Sequence, residues 1–243
     1  MRYLITFSYD GSKYKGYQKQ PEVTTIQGEL EKVLTQINNK EVFVSASGRT
    51  DAGVHALNQK AHFDLDINIT PEKLKMALNS LLPSDIYVKR VEEVDDDFHA
   101  RFNVKEKEYI YKINIGEYNP LEKDYVYQYN KELDIDKMKE AIKYFEGTHD
   151  FKSFTKNNDE KDDFVRTIIN TNIDIKDNII TISFRGTGFL RYMVRNMVGC
   201  LIEVGQSKRE SIEVKTILEA KDRTKAGITA HPEGLYLKEV SYK

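Results

Sequence analysis

The sequence is short of cysteine, of long apolar runs and of net charge, and each shortage removes a class of protein. Its single cysteine, Cys200, cannot close an intramolecular disulfide, and one thiol cannot assemble a structural zinc or iron–sulfur site. A small disulfide scaffold is excluded, and the cytoplasm is the expected compartment. No apolar run approaches the roughly 20 residues of a membrane helix. Met1 to Asp10 alternates apolar and polar residues where a secretory signal needs a continuous apolar core. No membrane is therefore expected among the partners. The 37 basic and 39 acidic side chains leave a net charge of -2, so the chain is not a polycation that coats nucleic acid indiscriminately. Any nucleic-acid site must be a local patch.

What is present is ordinary globular material. Hydrophobic residues make up 40% and charged ones 31% of the 243 residues, with no polar, aromatic-poor tract of the disordered kind. At about 150 residues per domain this is one large domain or two modest ones. Residues 3–9 alternate with period two and predict a half-buried strand ending at Asp10-Gly11. Thr24-Thr25-Ile26-Gln27 reads as a capping box, after which Ile26, Leu30, Val33, Leu34 and Ile37 recur on one helical face. Short strands are predicted at 42–44 and 59–65. Thr70 as N-cap and Pro71 at the first helical position open a second helix to Leu81, and a strand follows at 86–94.

The same order recurs: strand 109–115, helix 135–145, strands near 168–175 and 179–184, helix 189–204, and strand 235–240, with an extra helix at about 211–220. The halves share pattern and not sequence. The expected fold is α+β: two ferredoxin-like or RRM-like β-α-β-β-α-β halves, 1–104 and 105–243, forming a largely antiparallel sheet with helices on one side. Many RNA-binding folds share that pattern, which is a hint at the level of fold alone.

Chemistry concentrates in few places. The segment Ser47-Gly48-Arg49-Thr50-Asp51-Ala52-Gly53-Val54-His55-Ala56 sets two glycines, a cation and a carboxylate between two predicted strands. Lacking a Gly-Lys-Ser/Thr ending, it is a poor phosphate cradle of the P-loop kind. Asp51 suits a nucleophile or base held ionised by a cation, and it equally suits a turn closed by a local ion pair. In the helix 189–204, Phe189, Leu190, Met193, Val194, Met197, Val198 and Leu201 cover one side, with Arg195 on its flank. Partly enclosed, Arg195 needs a carboxylate or phosphate, for which Asp51 is one candidate, or else it snorkels to solvent.

Tyr109, Tyr111, Ile113 and Ile115 share a strand face, and Tyr109 at its start lies either in the core or at a rim where it can stack on a flipped base. Lys13, Tyr14, Lys15, Tyr17 and Lys19 interleave cations with aromatics, which suits unpaired RNA or simply a solvated loop. His55 and His62 lie near Asp51 without a third ligand at a metal spacing, and the run Asp95-Asp96-Asp97 lacks the spaced ligands of a calcium loop. No metal is expected.

Taken together, these motifs make the chain resemble the tRNA pseudouridine synthase A family over about Tyr3 to Tyr242. The match rests on Tyr9-Asp10-Gly11-Ser12, on Gly48 to His55, on Asp97-Phe98-His99-Ala100-Arg101-Phe102 and on Tyr109-Ile110-Tyr111. It continues through Gly147-Thr148-His149-Asp150-Phe151, Met193-Val194-Arg195-Asn196-Met197-Val198-Gly199 and Gly234-Leu235-Tyr236-Leu237. The resemblance implies that Asp51 is the essential carboxylate, that Tyr109 packs against the target base and that Arg195 pairs with the aspartate. It implies that Arg49 helps to hold the substrate or moves off the aspartate when the base enters.

The implied reaction isomerises uridine to pseudouridine at positions 38–40 of the tRNA anticodon arm. It breaks the N1–C1′ bond and rejoins the base through C5 without a cofactor, the enzyme acting as a homodimer with a basic cleft. The carboxylate can attack the sugar or the base, or remove a sugar proton to give a glycal. The same chemistry on ribosomal RNA, or an RNA-binding module without catalysis, are the alternatives. Three departures from the family pattern stand out: an acidic stretch at 157–163, Tyr17 where the family usually has tryptophan or phenylalanine, and Glu233 where a smaller residue commonly precedes the glycine.

Overall fold

The computed structural model describes residues 1–156 and 163–242. It divides into two compact units, Met1–Lys105 with Tyr236–Lys243, and Glu106–Leu235. The first unit contains β1 (Arg2–Tyr9), α1 (Ile26–Asn38), β2 (Ser45–Ala46), β3 (His55–Asp64), α2 (Pro71–Leu81) and β4 (Ile86–Val94). The second contains β5 (Glu106–Asn114), β6 (Tyr127–Gln128), α3 (Ile135–Ile142), β7 (Gly147–Asp150), β8 (Val165–Lys176), β9 (Ile179–Gly186), α4 (Met193–Gly205) and α5 (Glu213–Ala220). Last comes β10 (Leu235–Ser241). Sequence pattern put everything after residue 104 in the second half, whereas residues from Tyr236 onward count with the first unit, where β10 runs parallel to β3 with Tyr236 opposite His55.

In the first unit β1 is flanked by antiparallel β3 and β4, Ile5 facing Ala61 on one side and Val91 on the other. β2 pairs with β3 at His62 and Ala61. The strand arrangement is that of a ferredoxin-like split unit, and α1 and α2 touch, as helices on the same face of a sheet do. Tyr3, Ile5 and Phe7 are fully buried on one face of β1. The helix caps follow the residue types: Thr25 Oγ1 accepts from Gly28 N–H (3.2 Å), and Thr70 caps α2 ahead of Pro71. Thr25, not Thr24, is thus the cap.

Residues 42–44, expected as a strand, are not one. Their backbone donors go to α1 side chains instead of a ladder, Val42 N–H to Thr35 Oγ1 (3.1 Å) and Val44 N–H to Glu31 Oε1 (3.1 Å).

In the second unit the order is β5-β9-β8-β7, antiparallel throughout, with short β6 parallel to the far end of β5. β8 and β9 meet at Asp177-Asn178, both at positive φ (50° and 62°), the signature of a type I′ hairpin. Tyr111, Ile113, Ile180, Ile182 and Phe184 form the sheet side of a core completed by Phe145, Phe154, Met197 and Leu201. α3 and α4 touch. The helix expected from residue 189 begins at Met193, because Tyr192 takes φ 63° and breaks helical geometry ahead of it. Among the described residues no helix is long and apolar enough to cross a membrane. Of the acidic stretch 157–163, only Asp163 falls within the described residues, and it pairs with Arg166.

Candidate active site

Asp51 lies on the loop between β2 and β3, half-buried, and its neighbours fix that loop at several points. Buried Ser47 donates its N–H to the Lys60 carbonyl (2.8 Å) and its hydroxyl to Gln59 Oε1 (2.6 Å), while Gln59 Nε2 donates to the Gly48 carbonyl (3.0 Å). Next to the aspartate, the Thr50 carbonyl accepts from Tyr17 N–H (3.0 Å) and the Thr50 hydroxyl bonds the Tyr9 hydroxyl (2.8 Å). Burial pushes the Tyr9 phenol up to about 12, so Tyr9 serves as a neutral hydrogen-bonding post.

Two glycines let the first loop, 10–25, press against this backbone. A Cβ on Gly11 would stand 2.0 Å from the Val54 carbonyl oxygen, and Gly16, at φ 98°, faces the main chain of Thr50, Asp51 and Ala52. Beyond the aspartate, Gly11 N–H donates to His55 Nδ1 (3.1 Å), and the His55 ring stacks on Tyr236 at 4.7 Å. The Asp10 carboxylate also lies 3.3 Å from His55 Nδ1. Arg49, on the same loop, is exposed.

The first loop departs from its reading as a set of interleaved cations and stacking rings. Tyr14 and Tyr17 are buried, and Tyr14 donates to Asp85 at 2.6 Å, so neither offers a ring face to a base. Lys13, Lys15 and Lys19 are the exposed members. Of the two histidines near Asp51, His62 accepts from Ala100 N–H (3.1 Å), and burial lowers its pKa. Among the described residues no group of three or more His, Cys, Asp or Glu is placed to hold a metal. Burial also pushes the Cys200 thiol up to about 12, which leaves it protonated and inert.

The second unit carries the other two named residues on regular elements. Tyr109 sits near the start of β5 opposite Phe184, at 8% exposure against 0% for Tyr111, and Phe189 meets its ring edge-on at 5.0 Å. Tyr111 is anchored through its hydroxyl to the His231 carbonyl (2.8 Å). Arg195 lies in the first turn of α4. Its Nε donates to the Ala230 carbonyl (2.7 Å), its own carbonyl accepts from Ala230 N–H (3.0 Å), and its guanidinium stands 5.0 Å from the Tyr192 ring centre. The short link from Phe189 to Tyr192 therefore touches Tyr109 at one end and Arg195 at the other.

The sequence profile described as tRNA pseudouridine synthase matches residues 5–103 and 141–243. The chain belongs to that family. It is 48% identical over 243 residues to tRNA pseudouridine synthase A of Geobacillus sp. (strain WCH70), covering 99% of this chain and 98% of the relative. It is 44% identical to tRNA pseudouridine synthase A of Pseudothermotoga lettingae over 99% of each chain. To that of Exiguobacterium sp. (strain ATCC BAA-1283 / AT1b) it is 46% identical, over 100% of this chain and 98% of the other. With the family, the protein is an enzyme, a pseudouridine synthase of the isomerase class. Asp51, Arg49 and Arg195 fall inside the matched segments, whereas Tyr109 falls between them.

Sequence reasoning missed the supports of the aspartate loop: Tyr9, Gly11, Gly16 and Gln59. Tyr9 and Gly11 belong to a quoted family motif, and that recurrence was the signal available. Gly16 and Gln59 act through contacts that no local pattern encodes.

Proposed function

We propose that the protein converts uridine to pseudouridine at positions 38–40 in the anticodon arm of tRNA, with Asp51 as the essential carboxylate. The observation that carries this reading is the aspartate loop itself. In a chain of this family, the Gly-Arg-Thr-Asp-Ala-Gly segment is clamped along its backbone by Ser47, Thr50 and the glycines of the first loop. Such clamping holds a reacting group in position before the substrate arrives, which a simple surface turn does not need.

The reaction breaks the N1–C1′ bond, turns the uracil and forms a C5–C1′ bond, and the proton that leaves C5 is matched by one taken up at N1. Atoms and electrons balance within the nucleotide, so no cofactor takes part. The base must first leave its stack, at about a few kcal/mol. Tyr109 offers it a replacement surface, and Arg49 and Arg195 hold the substrate. The working enzyme is a homodimer, which concentrates cations from two slightly acidic chains on one RNA.

The test is pseudouridine mapping on unmodified total RNA incubated with the wild-type protein and, separately, with Asp51→Asn. New pseudouridines in the anticodon arm that vanish with the variant are the expected result. Asp51-dependent sites confined to ribosomal RNA would move the substrate, and no new site in any RNA would favour a binding module.

A further inference from the structure

Residues 227–231 run as a strap along α4 and touch the helix at each turn. Glu203 Oε1 accepts from Ile228 N–H (3.3 Å), a Cβ on Gly199 would stand 1.9 Å from the Ile228 carbonyl oxygen, and Asn196 Oδ1 accepts from the Thr229 hydroxyl (2.7 Å). Arg195 closes the series at Ala230, its Nε donating to the Ala230 carbonyl (2.7 Å) and its own carbonyl accepting from Ala230 N–H (3.0 Å). These helix positions follow one another a turn apart, so one side of α4 carries the strap. One residue further on, the His231 carbonyl accepts from the Tyr111 hydroxyl (2.8 Å), which ties the strap to β5 two residues from Tyr109.

The strap belongs to no helix or strand, so its shape depends on side chains. Arg223 supplies the knot. Its Nη1 donates to the Gly227 carbonyl (2.9 Å), and its Nη2 donates to Asn196 Oδ1 (3.0 Å) and to the Thr229 hydroxyl (2.9 Å). With the bond from Thr229 to Asn196 these close a triangle of hydrogen bonds that polarise one another. Asn196 is buried and donates its Nδ2 to the Phe154 carbonyl (2.7 Å), which anchors the triangle in the core. A planar fork suits this place, because a lysine carries the same charge without two diverging nitrogens.

We propose that Arg223 is a positioning residue for the reaction: with Asn196 and Thr229 it holds the strap, and the Ala230 carbonyl of the strap holds the side chain of Arg195. This rests on the part given to Arg195 in the function proposed above. The helix ladder fixes the backbone of Arg195, but a long side chain keeps its rotamer freedom unless its head is held. Ala230 is that hold, and Arg223 sets where its carbonyl stands.

The experiment compares the wild type with Arg223→Lys, which keeps the charge and loses the fork, and with Thr229→Val, which removes one corner of the triangle. Well below the Tm of each protein, NMR reads hydrogen exchange at Arg195 Nε–H, assigned by its loss in Arg195→Lys. Arg209 Nε–H, bonded to Glu203, is the internal reference. Single-turnover pseudouridine formation and affinity are measured on unmodified tRNA. Both variants should exchange Arg195 Nε–H about tenfold faster with the reference unchanged. They should slow turnover about tenfold, less than the roughly 100-fold of a full 1 Å displacement. Affinity should stay within about twofold, because no charge is lost from Arg223→Lys or Thr229→Val.

An Arg195 signal that neither variant alters, or one that exchanges freely already in the wild type, overturns the proposal. Faster exchange with turnover unchanged overturns it as well. An equal rise at Arg209 would show general loosening and make Arg223 a structural residue alone. If the wild type modifies no tRNA, the anticodon-arm reading falls, and the exchange rates by themselves decide whether Arg223 holds Arg195.

Discussion

In the first unit the carboxylate of Asp51 rides on a loop, and hydrogen bonds at Ser47, Gly48 and Thr50 hold that loop while two glycines let another loop lie against it. In the second unit Tyr109 and Arg195 project from β5 and α4, whose own ladders fix them, and Gly188, in the link between β9 and α4, has room around it. The contrast shows at two glycines. A Cβ on Gly11 meets the Val54 carbonyl carbon at 2.7 Å and its oxygen at 2.0 Å, whereas a Cβ on Gly188, in the link before α4, meets nothing nearer than Arg166 Cδ at 3.8 Å. The carboxylate on a loop is held by backbone contacts as tight as those of a core. Residues on regular elements inherit their placement.

The sharpest way to break that comparison is to add one methyl group to each unit. Gly11→Ala must push main chain against main chain, where neither partner can rotate away. It should cost about 3 kcal/mol of stability, the upper end for overpacking, and lower kcat about 100-fold, since displacing a catalytic group by roughly 1 Å has that effect. Gly188→Ala should leave kcat within about threefold of wild type, having only a flexible arginine side chain for company. Thermal melts and steady-state kinetics on both variants decide it. Equal, small effects would show that the aspartate loop is not rigidly clamped.

A smaller effect is expected at Tyr109, where the second unit offers a ring whose position its strand already fixes. Tyr109→Leu should lower the single-turnover rate about 30-fold, within the roughly 1–3 kcal/mol that one stacked base is worth. Tyr109→Phe keeps the ring and should lose less than about threefold. Equal losses in the two variants would assign the role to the hydroxyl.

These contrasts also mark what was legible in the sequence. Period-two alternation located β1, and the pairing of Thr70 with Pro71 gave the start of α2, because those signals are local and the packing agrees with them. Asp51, Tyr109 and Arg195 stand out in the sequence as residue types within motifs, and the roles given to them are part of the proposed function. The link 189–192 was misread because Phe189 and Leu190 extend the apolar spacing of α4 backwards. One residue at positive φ undoes that extension, and Phe189 packs on Tyr109 instead. Residues 42–44 misled in a similar way: their apolar run fits a strand, but α1 side chains take their backbone donors. The short strands β6 and β7 gave too little pattern to detect, and the grip of Gly11 and Gly16 on the aspartate loop depends on approach between segments about 40 residues apart.

The smallest expected effect lies within the clamp itself. Tyr17 is buried beside the aspartate loop, its N–H bonded to the Thr50 carbonyl, yet its hydroxyl finds no hydrogen-bond partner among the described residues. Burial raises that phenol well above its ordinary range, so the group stays a protonated, unpaired donor. The family usually places tryptophan or phenylalanine here, rings that fill space without a hydroxyl at that point. An unsatisfied buried polar group costs about 1–3 kcal/mol, part of which returns as a small void when the oxygen is removed. Tyr17→Phe should therefore raise stability by about 1 kcal/mol, or Tm by about 3 °C for a chain of this size, with kcat unchanged because the backbone bond to Thr50 survives. A fall in Tm on calorimetry would mean that the hydroxyl has a bound partner and that the clamp is wetter than its packing implies.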